Sequence, residues 1–436
     1  MQYWLNMMDK KICVTGMWHL GLVTAACLSK LGFSITCLDF DNDLIGKLRR
    51  GILPIYEPGL KEMIDESVST GSLSFTSSSA VIPESDVVYI AYDTPVDKDD
   101  ILDLSVIDKA ISTVIPLLRI DSLIVISSQV PVGTSDNIVK KLRDHGKPNQ
   151  LCCIPENLRL GDAIRCFLKP DRIVVGLSDS SIKGRVEEIF SGIKAKCLFM
   201  SLKSAEMSKH ALNSYLGTMI SFSGEISNLC ERVGANAIDV MHALKEESRV
   251  SASAPINPGL GFGGGTLARD IQGLRLIGKK AGLRTCLLDA VLEVNKERMK
   301  YVADKLLSIF GTLDGRKIAF FGLTYKAGTD TLRRSLALQI IEQIAQGNVS
   351  IAAYDPAIKG QIPEHGYISV AATAEEAAKD SDAIVITTDW DEFKSLDYAA
   401  IAKFMKTPVI LDAKNLLTGI NMGKNIKYYG VGVSHV

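Results

Sequence analysis

The tightest constraint in this sequence is a rhythm that occurs twice. Near the start, the apolar run Lys11-Ile12-Cys13-Val14-Thr15 ends on Gly16, and the same beat returns at Lys317-Ile318-Ala319-Phe320-Phe321-Gly322. After Gly16 come Gly21, an apolar helical stretch from Leu22 to Leu31, a stop at Gly32, and a second strand-like run, Ser34 to Leu38, closed by Asp39. After Gly322 come a helical stretch, Leu336 to Ala345, and a strand-like run, Ser350 to Tyr354, closed by Asp355. A pattern that switches from strand to helix and back to strand is a βαβ unit. Further strand-like runs follow each unit: Val87 to Ala91, Leu123 to Ser127, Cys152 to Ile154 and Ile173 to Gly176 after the first, Ala383 to Thr387 and Val409 to Leu411 after the second. Alternation of this kind means a doubly wound parallel sheet. Between the two halves, from about Ser204 to Phe310, helical periodicity dominates, broken by a loop rich in Gly and Pro from Pro255 to Gly265.

The expected fold is therefore α/β, with two doubly wound, Rossmann-like domains joined by a central helical domain. The chain has 436 residues, enough for two to three domains at about 150 residues each. The expected segments are a dinucleotide-binding-like domain over 1–200, a helical domain over 201–310, and a smaller α/β domain over 311–436. Leu283 to Phe310 reads as one long helix and as a dimer interface. Two α/β lobes around a spacer imply a cleft in which a small ligand binds.

Charge and cysteine usage narrow the function. Lys and Arg number 49 and Asp and Glu 50, a net charge of −1, so nothing advertises nucleic acid or an anionic membrane as partner. No apolar run reaches the ~18 residues of a membrane span, and Met1 to Lys11 does not read as a secretion signal. The nine cysteines form no C-x-x-C pair, and the six histidines have no metal-ligand spacing. Buried free thiols in the cytoplasm and no metal are expected, with Cys230 and Cys286 assigned to core packing.

A glycine-rich turn at a strand end presents backbone N–H groups at a helix N-terminus, where a pyrophosphate can sit. An acidic residue about 20 positions on can hold the adenosine ribose. Gly16, Gly21 and Asp39 supply three parts of that design. The run is Gly16-Met17-Trp18-His19-Leu20-Gly21, with Trp18 where the backbone should approach the phosphates. The incomplete fingerprint leaves two readings open, a dinucleotide site and a βαβ unit that holds none. His19 is either a ligand donor or a plain loop histidine.

Further motifs extend the reading. They are Gly51 to Leu60, Thr94-Pro95, Asp103-Leu104-Ser105, Val130-Pro131-Val132-Gly133-Thr134, Pro170-Asp171-Arg172-Ile173, and Lys209 with Asn213. Gly259 to Gly264, Gly322 to Lys326, Thr329-Asp330, Tyr354-Asp355-Pro356 and Thr388 to Phe393 follow. Taken in this order, they resemble the UDP-glucose/GDP-mannose 6-dehydrogenase family along nearly the whole chain. The resemblance implies oxidation of C6 of a nucleotide-linked hexose by two NAD, through a cysteine-bound thiohemiacetal and a thioester that water hydrolyses.

By the same resemblance, Lys209 and Asn213, four apart on one helix face, stabilise an oxyanion on C6 beside the carboxylate Asp270. Gly16, Gly21, Asp39, Thr94 and Arg333 face the cofactor. Glu156, Arg249, Gly263, Gly264, Lys326 and Lys414 face the sugar nucleotide, with Arg249 matched to an arginine that a partner subunit supplies.

The departures are as informative. Where the family has its cysteine, the run Gly263-Gly264-Gly265-Thr266-Leu267-Ala268-Arg269-Asp270 has Thr266. A thiol with a pKa near 8.5 supplies thiolate readily, and a threonine hydroxyl does not. Leu160 replaces a glutamate, Gln129 a threonine, Asp93 a glycine, Pro255 an aromatic, and Lys414 an arginine. The leading expectation is an NAD-dependent oxidoreductase that removes one hydride from a UDP- or GDP-hexose and stops at the carbonyl. Two alternatives stand beside it: a non-redox sugar-nucleotide-binding homologue, and a full 6-dehydrogenase that makes the uronic acid without a covalent thioester.

Overall fold

The computed structural model describes residues 10–96, 102–155, 157–263 and 265–433. Glu156 and Gly264 lie outside the described residues. The chain divides into two compact units, one up to Ala211 and the other from Leu212 on.

The first unit is built on an eight-stranded sheet. Its strands are β1 (Lys11–Thr15), β2 (Ser34–Leu38), β3 (Leu73–Thr76), β4 (Val87–Ile90), β5 (Leu123–Ile126), β6 (Leu151–Cys153), β7 (Arg172–Leu177) and β8 (Lys196–Ser201), in the order β3-β2-β1-β4-β5-β6-β7-β8. The order reverses between β1 and β4, where open α/β sheets bind their ligands at the carboxyl ends of the strands. All pairs are parallel except β6 with β7, so the sheet is mixed rather than wholly parallel. An antiparallel margin on an otherwise parallel sheet is common.

Two core clusters cover the two faces. One holds Leu22, Leu28 and Ile64 against Val14 and Tyr89, and the other holds Ile111, Val114 and Ile138 against Cys13, Val88 and Ile124. That is why β4 and β5 are uninterrupted apolar runs: alternation appears only when one face meets water.

The second unit repeats the design. Strands β9 (Lys317–Phe321), β10 (Ser350–Tyr354), β11 (Ile368–Val370), β12 (Ala383–Ile386), β13 (Val409–Asp412) and β14 (Lys427–Gly430) form a sheet in the order β11-β10-β9-β12-β13-β14. Every pair is parallel. The reversal here falls between β9 and β12.

The long helix is not where the sequence suggested. Leu283 to Phe310 is broken into Cys286–Arg298 and Tyr301–Phe310, and the 32-residue helix is Leu202–Val233. At the break, Met299 N–H donates to Lys296 O and Lys300 N–H to Glu297 O, the tighter i→i+3 pattern of a helix end. Arg298 sits at this break. Its buried guanidinium donates to Gly259 O at 2.8 Å and to Asn228, and lies 4.2 Å over the ring of Tyr301. Apolar periodicity runs through this point and cannot reveal it. No described helix is long and apolar enough to cross a membrane.

Candidate functional site

The turn after β1 is built from within. Gly16 has φ +90°, and a Cβ there would sit 2.8 Å from the Tyr92 ring, so only glycine fits. A Cβ on Gly21 would collide with the Gly16 carbonyl. Met17 N–H donates to Asp39 Oδ2 at 2.7 Å, and Asp41 N–H to Asp39 Oδ1 at 3.1 Å. Asp39, expected to hold a ribose, therefore also clamps the turn that carries the glycines.

The second unit does the same. Gly322 has φ +96°, and Asp355 Oδ2 accepts from Leu323 N–H at 2.7 Å and Thr324 N–H at 2.9 Å.

Trp18 has φ −104°, an extended backbone that needs no glycine, and its side chain is 46% exposed. The helix that follows, His19–Lys30, has no acidic residue in its first turn and no side-chain cap from Trp18. Its cap comes instead from across the reversal point, where Asp93 Oδ2 accepts from Leu20 N–H at 3.2 Å.

His19 is held by a buried acid. Its Nε2 lies 2.9 Å from Glu57 Oε2, and Glu57 also accepts from Gly161 N–H and Ala163 N–H, each at 2.8 Å. Burial pushes the Glu57 carboxyl up, but the bonds from His19 and the two amides outweigh it and hold the group below its ordinary range. Thr94, expected near the cofactor, is buried and donates to Gln129 O at 3.0 Å, which fixes the segment that carries Asp93.

The glycine cradle fits a dinucleotide. One carboxylate, Asp93, already accepts from the Leu20 N–H at its edge.

Lys209 and Asn213 lie on the long helix. Lys209 Nζ donates to Asn157 Oδ1 at 3.0 Å. Nearby in the first unit, Glu206 caps the helix Thr134–Asp144 through Gly133 N–H and Ser135 N–H, and burial holds its carboxyl above the ordinary range.

In the second unit, Asn213 Nδ2 donates to Asp270, whose side chain is fully buried. Asp270 lies one turn into the helix Thr266–Lys280, which begins directly after the Gly-Pro loop. Thr266 is exposed as the first residue of that helix, and no hydrogen bond joins its hydroxyl to a base among the described residues.

The Gly-Pro loop is held on three sides, none of them legible in the sequence. Asn295 accepts from Phe262 N–H at 2.7 Å and donates to Phe262 O at 3.1 Å, while Arg298 takes Gly259 O. Gly263 packs where the loop that follows β9 enters its helix: a Cβ would sit 2.6 Å from Cγ of Leu336, the first residue of Leu336–Ile344, and 3.4 Å from Arg334 O in the loop. That loop carries Lys326 and Arg333, both exposed.

The turn after β13 carries Lys414. Its neighbour Asn415 has φ +52° and donates to Pro258 O at 3.4 Å and to Val431 O at 2.9 Å. The loop leading to Thr266 is thus tied to both loops at the carboxyl end of the second sheet. Arg249 stands apart on an exposed turn, where it donates to Glu247 at 2.9 Å.

The buried cysteines offer no replacement for a thiol at Thr266. Burial pushes Cys152 up to about 12 and Cys13 to about 12, out of reach of thiolate chemistry near neutrality. Cys230 is buried as expected, but Cys286 is exposed at the first turn of its helix rather than in the core. Among the described residues, no group of three His, Cys, Asp or Glu is placed to hold a metal.

Three family models match the chain. The NAD binding domain of the UDP-glucose/GDP-mannose dehydrogenase family matches residues 10–194, its central domain 203–297, and its UDP binding domain 319–419. The UDP-glucose 6-dehydrogenase TuaD of Bacillus subtilis is 36% identical over 420 residues, covering 94% of this chain and 90% of that protein. The UDP-glucose 6-dehydrogenase of Rickettsia conorii is 35% identical over 429 residues, covering 97% and 99%. Among solved structures, a UDP-glucose dehydrogenase from the hyperthermophilic archaeon Pyrobaculum islandicum superposes with a TM-score of 0.87 at 27% identity, covering 98% of each chain. The UDP-N-acetyl-mannosamine dehydrogenase Cap5O from Staphylococcus aureus gives 0.82 at 27% identity, covering 97% and 98%.

Proposed function

Because the chain belongs to the UDP-glucose/GDP-mannose dehydrogenase family, we propose that it is an NAD-dependent dehydrogenase that takes one hydride from a hydroxyl of a nucleotide-linked hexose and stops at the carbonyl. The observation that carries this reading is Thr266, an exposed hydroxyl at the start of the helix that holds Asp270, bonded to no base among the described residues. NAD, when bound, accepts the hydride. Lys209 and Asn213 donate toward the alkoxide that develops on the reacting carbon. Asp270 orients Asn213 through their hydrogen bond and takes part in the proton transfer. Lys326 and Lys414, on loops tied to the Gly-Pro loop, meet the nucleotide phosphates, and Gly263, whose missing Cβ lets that loop close on Leu336, meets the sugar nucleotide through its backbone. Without a thiol to capture the aldehyde, no acyl-enzyme forms, and the products are the carbonyl sugar, NADH and a proton.

The same proposal divides the work over 1–200, 201–310 and 311–436, for dinucleotide, helical core and sugar nucleotide. It places the enzyme in the cytoplasm, which suits six buried free thiols. It also takes the working form to be a homodimer, for which the long helix offers an exposed apolar row, Tyr215, Phe222 and Leu229, at heptad spacing. A second reading, sugar-nucleotide binding without redox chemistry, has Asp93 on Leu20 N–H in its favour.

The test is a count of NADH formed per UDP-hexose or GDP-hexose consumed. One is expected, and Thr266→Cys should move the count toward two. Two with the native threonine overturns the single oxidation. Sugar-nucleotide binding with no NADH formed selects the second reading.

A further inference from the structure

We propose that Asp93 is a built-in competitor for the cofactor: its carboxylate takes the Leu20 N–H that a dinucleotide pyrophosphate would accept, and NAD binds after that side chain swings away. The inference rests on the NAD-dependent reading above. Leu20 is the second residue of its helix, and its N–H is one of those that a helix N-terminus leaves without an intrahelical acceptor. The helix brings no acid of its own to its first turn, and the bond from Asp93 is 3.2 Å long. It arrives from the segment after β4, on the other side of the reversal point where ligands of such sheets sit.

The backbone around Asp93 is fixed. Tyr92 packs on Gly16, and Thr94 is buried and bonded to Gln129 O at 3.0 Å. Asp93 itself is exposed, with solvent beside it for its carboxylate to turn into. A carboxylate in place and a diphosphate arriving compete for the same donor and repel each other, and both effects weaken binding.

Two opposite changes should therefore appear in one variant. Asp93→Gly should bind NAD about tenfold more tightly than the parent by calorimetry, because the competitor is gone. The same variant, with no cofactor added, should melt at a lower temperature, because the helix has lost its cap. Asp93→Asn keeps an oxygen that can accept from Leu20 but no charge, and should fall between the two. Adenosine, which has no phosphate, should bind all three proteins alike.

Equal NAD affinity in the parent and Asp93→Gly, or a loss of affinity in the variant, overturns the competitor and leaves the dehydrogenase reading standing. NAD binding by none of the proteins overturns both.

Discussion

Glu57 shows how much a single carboxylate can organise. Buried beneath the first helix, it collects His19 and two backbone amides, and its carboxyl is held below its ordinary range. A carboxyl whose pKa is lower in the folded chain stabilises the fold above its unfolded pKa of about 4.3, and that stabilisation fades as the pH falls through the folded value. His19→Ala removes one of the bonds that lower it. The variant should unfold at lower urea than the parent near pH 6, by about 1 kcal/mol, with the gap narrowing as the pH falls below the unfolded carboxyl value of about 4.3. A gap that stays constant over that range would mean that His19 acts through packing alone. From the sequence alone His19 is either a ligand donor or a plain loop histidine. Glu57 is far along the chain, and nothing in local periodicity pairs the two.

At the scale of elements, the Gly-Pro loop depends on a helix that does not itself enter the chemistry proposed. Asn295 makes two bonds to the backbone of Phe262, and Arg298 makes one to Gly259. Asn295→Leu leaves a buried N–H and C=O without partners, a loss of about 1–3 kcal/mol. It should also raise KM for the sugar nucleotide several-fold, since the loop leads into Thr266. A fall in urea midpoint with KM unmoved would reduce Asn295 to a purely structural role. The two βαβ units were legible because strand, turn and helix are written in neighbouring residues: Gly16, Gly21 and Asp39 announce the first, Gly322 and Asp355 the second. Lys209 and Asn213 could be paired on one helix by spacing alone. The partners were not legible, because Asn157, Asn295 and the bond from Asp93 to Leu20 are made by tertiary folding. The break after Arg298 is hidden for the same reason: two distant groups, Gly259 and Asn228, hold that side chain while the apolar beat continues.

At the scale of the molecule, the long helix leaves Tyr215, Phe222 and Leu229 at 62%, 48% and 55% exposure. Three large apolar side chains in one row on a single helix suit a second copy of the same row. Phe222→Glu should convert a dimer into a monomer in sedimentation at micromolar protein, with its helix content unchanged. A dimer that persists would place the interface elsewhere. The two sheets also share a device, the carboxylate closing the second strand, which grips the amides of the first turn in each. Asp39 and Asp355 set those turns before any guest arrives, so a ligand meets a finished shape in either half and need not mould it. What surrounds the shape in the first half includes one neighbouring acid, Asp93, seated on the second amide of the helix.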